Sequence, residues 1–453
     1  MLSRRQFLRQ SMMASMATAS VISPIAGLNP LLAATTKASS SYKAMVCIFL
    51  FGGNDGFNMV VPNSASDYAT YANSRQNLAI AQTDLLPVSP ISGGDYGFHP
   101  AMPEIRQLFE SGNVAVQANV GTLIQPVTRE TVQNQSALLP PQLFSHNDQQ
   151  ALWSSGYASD FTNRGWGGLV ADLVSGLNNS SAPMNISIFG NNLFQVGDTV
   201  APYSMNAAGP EEMIGIRPNI PQEAARAAVF ERLRDMSSGH VMETAHRNLT
   251  RNTQDVAQVL NTALEVAPEL QTSFQSGNFL AEQLAMVAKM ISVSESLGFE
   301  RQIFFVGMGG FDTHDGQNDD QPILLAQLSE AMSSFYAATE ELGVANQVTS
   351  FTLSDFGRTL TSNGDGTDHG WGSHHMVMGG AVNGGDIYGQ MPELAIGGPD
   401  DADDGRMIPT TSVDQYSATI ARWFGLSETQ LSQVFPNIDN FPTSDMGFMS
   451  QAI

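Results

Sequence analysis

Arg301-Gln302-Ile303-Phe304-Phe305-Val306, an amphipathic stretch over residues 322–342, and Gln347-Val348-Thr349-Ser350-Phe351-Thr352-Leu353 together decide the fold. The outer two runs are short, apolar and rich in β-formers. The middle one repeats its apolar residues at spacings of three and four, as a helix does. Strand, helix, strand with connections of this length is a βαβ unit. It implies parallel pairing with a right-handed crossover.

The same grammar extends outward. Residues 44–51 are eight apolar residues in succession, ended by Gly52-Gly53, and predict a strand covered on both faces. Residues 113–119, 185–189 and 376–382 predict further strands. Helices are expected over 103–109, over 143–154 with Ser145 as N-cap, and over 412–424 with Gly425 as stop. Residues 221–297 are almost wholly helical in pattern, closed by Gly298, and are expected to form a helical insertion. The fold class expected is α/β: a doubly wound, mostly parallel sheet with helices on both faces, in one domain over residues 44–446.

The chain has 453 residues and a formal net charge of -23. That charge argues against nucleic acid and against an anionic membrane surface, which need clustered Lys and Arg. The single cysteine, Cys47, excludes an intrachain disulfide and a Cys-based metal site. Residues 1–34 read as a twin-arginine signal: Ser3-Arg4-Arg5-Gln6-Phe7-Leu8, a modest apolar stretch over 11–28, then Leu32-Ala33-Ala34. Residues 35–43 are a linker. No run approaches the ~18 apolar residues of a membrane span, so no stable membrane insertion is expected. The twin-arginine export machinery is an expected partner, and the location expected is periplasmic or secreted.

Chemistry concentrates at strand ends, where open α/β sheets bind ligands. Asp55 lies in Gly52-Gly53-Asn54-Asp55-Gly56. Asp312 and His314 lie in Gly309-Gly310-Phe311-Asp312-Thr313-His314. Asp355 and Arg358 lie in Ser354-Asp355-Phe356-Gly357-Arg358. His369 and His374 lie in Asp368-His369-Gly370-Trp371-Gly372-Ser373-His374-His375. Carboxylates and imidazoles are the ligands zinc-class ions take, and acidic glycine loops also hold calcium. Each segment has a plainer reading too. Asn-Asp-Gly is an ordinary turn, Asp355 and Arg358 can form an ion pair, and Ser145 at a helix start can be only a cap.

The order of these segments resembles the bacterial family called domain of unknown function 1501. The resemblance rests on Phe51-Gly52-Gly53-Asn54-Asp55-Gly56, Ser145-His146-Asn147-Asp148-Gln149-Gln150, the Asp312, Asp355 and Asp368 segments, and Thr410-Thr411-Ser412-Val413-Asp414-Gln415-Tyr416. It covers residues 42–446. That family is in turn similar to the alkaline phosphatase and sulfatase superfamily, two-metal hydrolases on a doubly wound sheet.

The resemblance implies an exported hydrolase of phosphate or sulfate esters, acting on a small anionic ester by a two-metal mechanism with divalent ions (zinc, magnesium, manganese or calcium). It implies Asp55, Asp312, His314, Asp355 and His369 or His374 as metal ligands. Ser145 would be the nucleophile and Arg358 would neutralise the anion. The superfamily usually has Asp-His where this chain has Asp355-Phe356, so His369 or His146 would have to supply that nitrogen. The alternative expectation is a non-catalytic exported binding or cell-surface protein holding a structural ion on the same fold.

Overall fold

In the computed structural model of the protein, residues 41–211, 213–217, 219–236 and 240–450 are described. The signal expected over 1–34 and the linker as far as residue 40 lie outside the described residues. Nine strands form the main sheet: β1 (Lys43–Leu50), β2 (Val114–Gly121), β3 (Asn185–Ser187), β4 (Tyr203–Ser204), β5 (Arg301–Met308), β6 (Val348–Ser354), β7 (Ser373–Met378), β8 (Ile387–Tyr388) and β9 (Thr411–Ser412). Their order is β8-β2-β7-β6-β1-β5-β3-β4, with β9 also on β2. β1 is central because it is apolar on both faces; seven of its eight residues are buried. It pairs in parallel with β5 and β6.

Only β7 runs against its neighbours, β2 and β6. This places the start of β7 beside the carboxyl ends of the parallel strands, so the loop carrying Asp368 and His369 enters at the same end as the loops after β1, β5 and β6. β7 also begins three residues earlier than its apolar run suggests. His374 and His375 are therefore inside the strand, fully buried. Burial holds both imidazoles neutral, pulling each pKa down to about 3.

Six helices matter for the site: α1 (Pro103–Glu110), α2 (His146–Ser155), α3 (Trp166–Val174), α4 (Phe279–Ser292), α5 (Gln317–Glu341) and α6 (Val413–Phe424). α1 and α4 both pack on α5, and the three cover one face. Trp166 of α3 and Tyr416 of α6 both lie against Phe351 of β6 on the other face, with ring centroids 5.5 and 6.4 Å away. The sheet is thus mixed, mostly parallel and wound on both sides. α6 starts at a reciprocal cap between Ser412 and Gln415 and stops at Gly425, φ 131°.

α5 starts at Gln317, five residues before Pro322. That early turn carries Gln317 and Gln321 to Asp55. The expected insertion divides in two. Helices Ala224–Asp235 and Val241–Glu265 bury few residues. α4 buries nine and packs on β5, so it belongs to the covering layer. Among the described residues, no helix is long and apolar enough to cross a membrane.

Asp414, in the first turn of α6, is fully buried, and neither carboxylate oxygen has a hydrogen-bond partner among the described residues. Burial pushes its pKa well above the ordinary range. A carboxyl with a raised folded pKa stabilises the fold fully below its unfolded pKa. That stability is lost as pH rises toward the folded pKa, by up to about 1.4 kcal/mol per pH unit. Asp414→Asn should therefore be more stable than the parent chain at pH 8, by at least about 1 kcal/mol, and the two should converge near pH 4. Urea unfolding at the two pH values checks this; equal differences at both would remove the buried acid from the account.

Candidate metal centre

Three loops and one helix start meet at the carboxyl end of the sheet. Asp312 leaves β5 through Gly309-Gly310. Asp355 is the first residue after β6. His369 ends the short strand Thr367–His369, which pairs with Arg358–Ser362. His146 is the first residue of α2. The loop after β1 passes close behind: a Cβ on Gly52 (φ 118°) would lie 2.3 Å from the Asp312 nitrogen, so only glycine fits there.

Asp312 is the hub. Its Oδ2 lies 3.4 Å from His146 Nε2. Its Oδ1 lies 3.1 Å from His314 Nε2 and 3.4 Å from His369 Nε2. Arg358 Nη1 donates to the same Oδ1 at 2.8 Å. Burial opposes ionisation of Asp312, but the Arg358 guanidinium and the imidazoles outweigh it and hold the carboxyl below its usual value.

Each imidazole is anchored outward through Nδ1. His146 Nδ1 meets Asp355 Oδ2 at 2.6 Å, His314 Nδ1 meets Asp368 Oδ1 at 3.0 Å, and His369 Nδ1 meets the Phe144 carbonyl at 2.7 Å. A carbonyl only accepts, so Nδ1 of His369 carries its proton and Nε2 presents a lone pair. Asp368 is likewise an acceptor: burial works against its charge, but Asn363, His314 and Arg358 keep its pKa low. Asp355 Oδ2 also accepts from Gln150 Nε2 at 3.0 Å. Three Nε2 atoms therefore face one carboxylate. His314 Nε2 and His369 Nε2 are 2.9 Å apart, which two bare lone pairs do not tolerate without a proton or a cation between them.

The donor set fits a cation. Donor atoms around a tetrahedral zinc-class ion with bonds near 2.0 Å are separated by about 3.3 Å. The three imidazole–Asp312 separations are 3.4, 3.1 and 3.4 Å. Donor atoms of His146, Asp312 and His369 all lie within 4.8 Å of one another. The cluster is open to solvent, with the Asp312 side chain 44 % exposed. Two other concavities, of about 340 and 270 Å³, are lined by different residues and lie away from it.

Of the residues singled out in the sequence, Asp312, His314, Asp355 and His369 come together. Asp355 stands behind His146 rather than at the hub. Asp55 does not join them. Its carboxylate caps the short helix Gly56–Met59 through Phe57 N and Asn58 N, pairs with buried Arg75, and accepts from Gln317 Nε2 at 2.6 Å. His374 does not join them either. Its Nδ1 accepts from Asn119 N at 3.0 Å, where the β2–β7 register shifts, and its ring packs on Phe57.

Arg358 is wholly buried. It donates to Asp312, to the Gly52 carbonyl, and to the Thr367 carbonyl and hydroxyl, so it braces Asp312 rather than facing solvent. Ser145 is the α2 N-cap without a side-chain capping bond, set between Phe144 and His146, which both touch the cluster. Gln150 was absent from the expected site, while His146, expected only as a stand-in for a missing nitrogen ligand, faces Asp312 directly, and Asp368 anchors His314. The signals for His146 were its place next to Ser145 at a helix start and the Phe356 that stands where the resemblance leads one to expect a histidine.

Distant likenesses to solved structures are of fold. A sulfatase from Pseudoalteromonas sp. matches at 8% identity and TM-score 0.34, over 90% of this chain and 70% of that one. A phosphonate monoester hydrolase from Silicibacter pomeroyi matches at 8% and 0.33, over 85% and 74%. Alkaline phosphatase from the Antarctic bacterium TAB5 matches at 8% and 0.30, over 87% and 99%. No curated protein matches the chain. The family model of proteins of unknown function called DUF1501 matches residues 42–437, and the chain belongs to that family.

Proposed function

We propose that the protein is an exported, metal-dependent hydrolase of phosphate or sulfate esters. One observation carries this reading: three imidazoles, each tied outward through Nδ1, turn their Nε2 atoms toward one carboxylate at a solvent-open sheet end. Outward anchoring is how metal-binding histidines are held. His146, His369 and Asp312 would hold the ion, with His314 beside them on Asp312 Oδ1, and the imidazole majority favours zinc over magnesium or calcium. A bound divalent ion supplies a Lewis acid for the ester oxygen and lowers the pKa of a coordinated hydroxyl.

The protein's own groups do the rest. Ser145 offers a hydroxyl not spent on capping, at the N-terminus of α2, where the helix dipole favours an anion. Its Oγ attacks phosphorus or sulfur while the hydroxyl proton passes to the departing ester oxygen, which leaves as an alcohol, and water then releases the inorganic anion and returns a proton to the serine oxygen. Arg358 keeps Asp312 ionised and in place. The twin-arginine signal would deliver the folded protein through the export machinery to the periplasm or beyond, and the open site suits a small anionic ester.

The purified mature chain should contain a divalent ion and hydrolyse aryl phosphates or sulfates. Chelation should abolish turnover and zinc should restore it, while Ser145→Ala should lower kcat on the order of a hundredfold or more. A chain that binds an ion but hydrolyses no ester would be a binding protein with a structural ion. A chain that takes up no ion would end the reading altogether.

A further inference from the structure

Carboxylates and imidazoles abound at this end of the sheet, enough on paper for two ions. Their side chains are not equally available. Asp55 is 2% exposed, and its oxygens are committed to Arg75, Gln317 and two backbone amides. His374 is buried with Nδ1 on the Asn119 amide. Asp368 Oδ1 is taken by His314 and Asn363.

Asp355 lies one layer back. It is fully buried, and its Oδ2 takes both His146 Nδ1 and Gln150 Nε2, while Oδ1 has no hydrogen-bond partner among the described residues. Phe356 then fills the space beside the imidazoles. Its ring centroid is 4.6 Å from that of His369, inclined by 31°, and 4.9 Å from that of His146. Behind it, a Cβ on Gly53 (φ 90°) would fall 2.6 Å from the Phe356 ring, so that side is closed as well. The ring leaves His146 and His369 few rotamers and offers no donor.

We infer that the site holds a single divalent ion, and that Asp355 is a positioning residue that orients His146 instead of ligating the metal. This rests on the metal-dependent reading of the cluster. Asp355 fixes the tautomer of His146 with the lone pair on Nε2, and Phe356 packs the two rings so that they converge on Asp312. Among the described residues, the one group of imidazole and carboxylate donors close enough together to hold an ion is that of His146, Asp312 and His369.

The experiment is metal stoichiometry and affinity on the full mature chain, loaded with zinc, dialysed, and assayed by mass spectrometry and by competition with a chelating dye. One zinc per chain is expected. Asp355→Ala, which removes the acceptor from His146, should weaken zinc binding about ten- to a hundredfold. Asp355→Asn keeps a carbonyl for the Nδ1–H and should bind zinc clearly more tightly than Asp355→Ala. Thermal unfolding of both variants, with zinc removed, separates lost affinity from lost fold.

Two zinc ions per chain would overturn the inference while leaving a metal-dependent enzyme. An Asp355→Asn chain as depleted as Asp355→Ala would also overturn it, since a ligating carboxylate does not survive the amide. No bound zinc at all would sink both this inference and the reading on which it rests.

Discussion

Asp312→Asn should strip the protein of its ion and lower ester hydrolysis on the order of a thousandfold or more. The amide has nearly the shape of the carboxylate, so the change isolates charge. Asp312 is the group that all three Nε2 atoms approach, at 3.4, 3.1 and 3.4 Å. Without its negative charge, three imidazoles face a neutral amide, and a divalent ion loses the ligand that offsets its charge.

The fold should feel the change far less. Arg358 loses its counter-ion, but the amide oxygen still accepts from Nη1, and Arg358 keeps the Gly52 and Thr367 carbonyls. With the Asp312 side chain 44 % exposed, solvent screens much of the loss, and a cost of about 1–2 kcal/mol is expected. Metal content, turnover of aryl phosphate and aryl sulfate, and a melting curve measured together separate the two effects. Retention of both ion and activity would remove Asp312 from the centre of the site.

The part of this arrangement legible in the sequence is the part that follows from strand ends. Asp312 and Asp355 each follow a recognisable apolar run, and parallel strands bring their carboxyl ends to one edge by construction. The antiparallel direction of β7 was not legible, because hydropathy has no arrow. His374 looked like a loop residue, since an imidazole interrupts an apolar run; in the structure it is a neutral core side chain.

His146 shows the converse. It sits on a helix more than 160 residues before Asp312, where the local pattern reports only a helix start. Nothing local tells which way its ring turns. That is decided by Asp355 and Gln150, two partners that meet only when α2 packs beside β6. Asp55 misleads for a related reason: a carboxylate at a strand end looks the same whether it awaits a cation from solvent or already has one from the chain.

Arg75 is that cation, and its removal should be the most damaging single change to the fold. Arg75 and Asp55 have side chains 0% and 1% exposed. The guanidinium also donates from Nε to Asn58 Oδ1 at 3.0 Å and from Nη1 to the Thr359 carbonyl at 2.8 Å. It ties the loop after β1 to the strand Arg358–Ser362, the two segments that flank the metal cluster. Arg75→Ala leaves Asp55 buried with only Gln317 and two backbone amides for its charge. Breaking one side of a buried pair costs about 3–5 kcal/mol.

Chemical unfolding should show a loss of that size for Arg75→Ala and a comparable one for Asp55→Ala, with the double variant costing less than the sum. The coupling separates a structural pair from a metal ligand. If Asp55 only partners Arg75, both single variants, kept cold enough to stay folded, retain the same zinc content as the parent. If Asp55→Ala instead loses its ion while unfolding at the parent's denaturant midpoint, the carboxylate belongs to the site and the pairing with Arg75 is incidental.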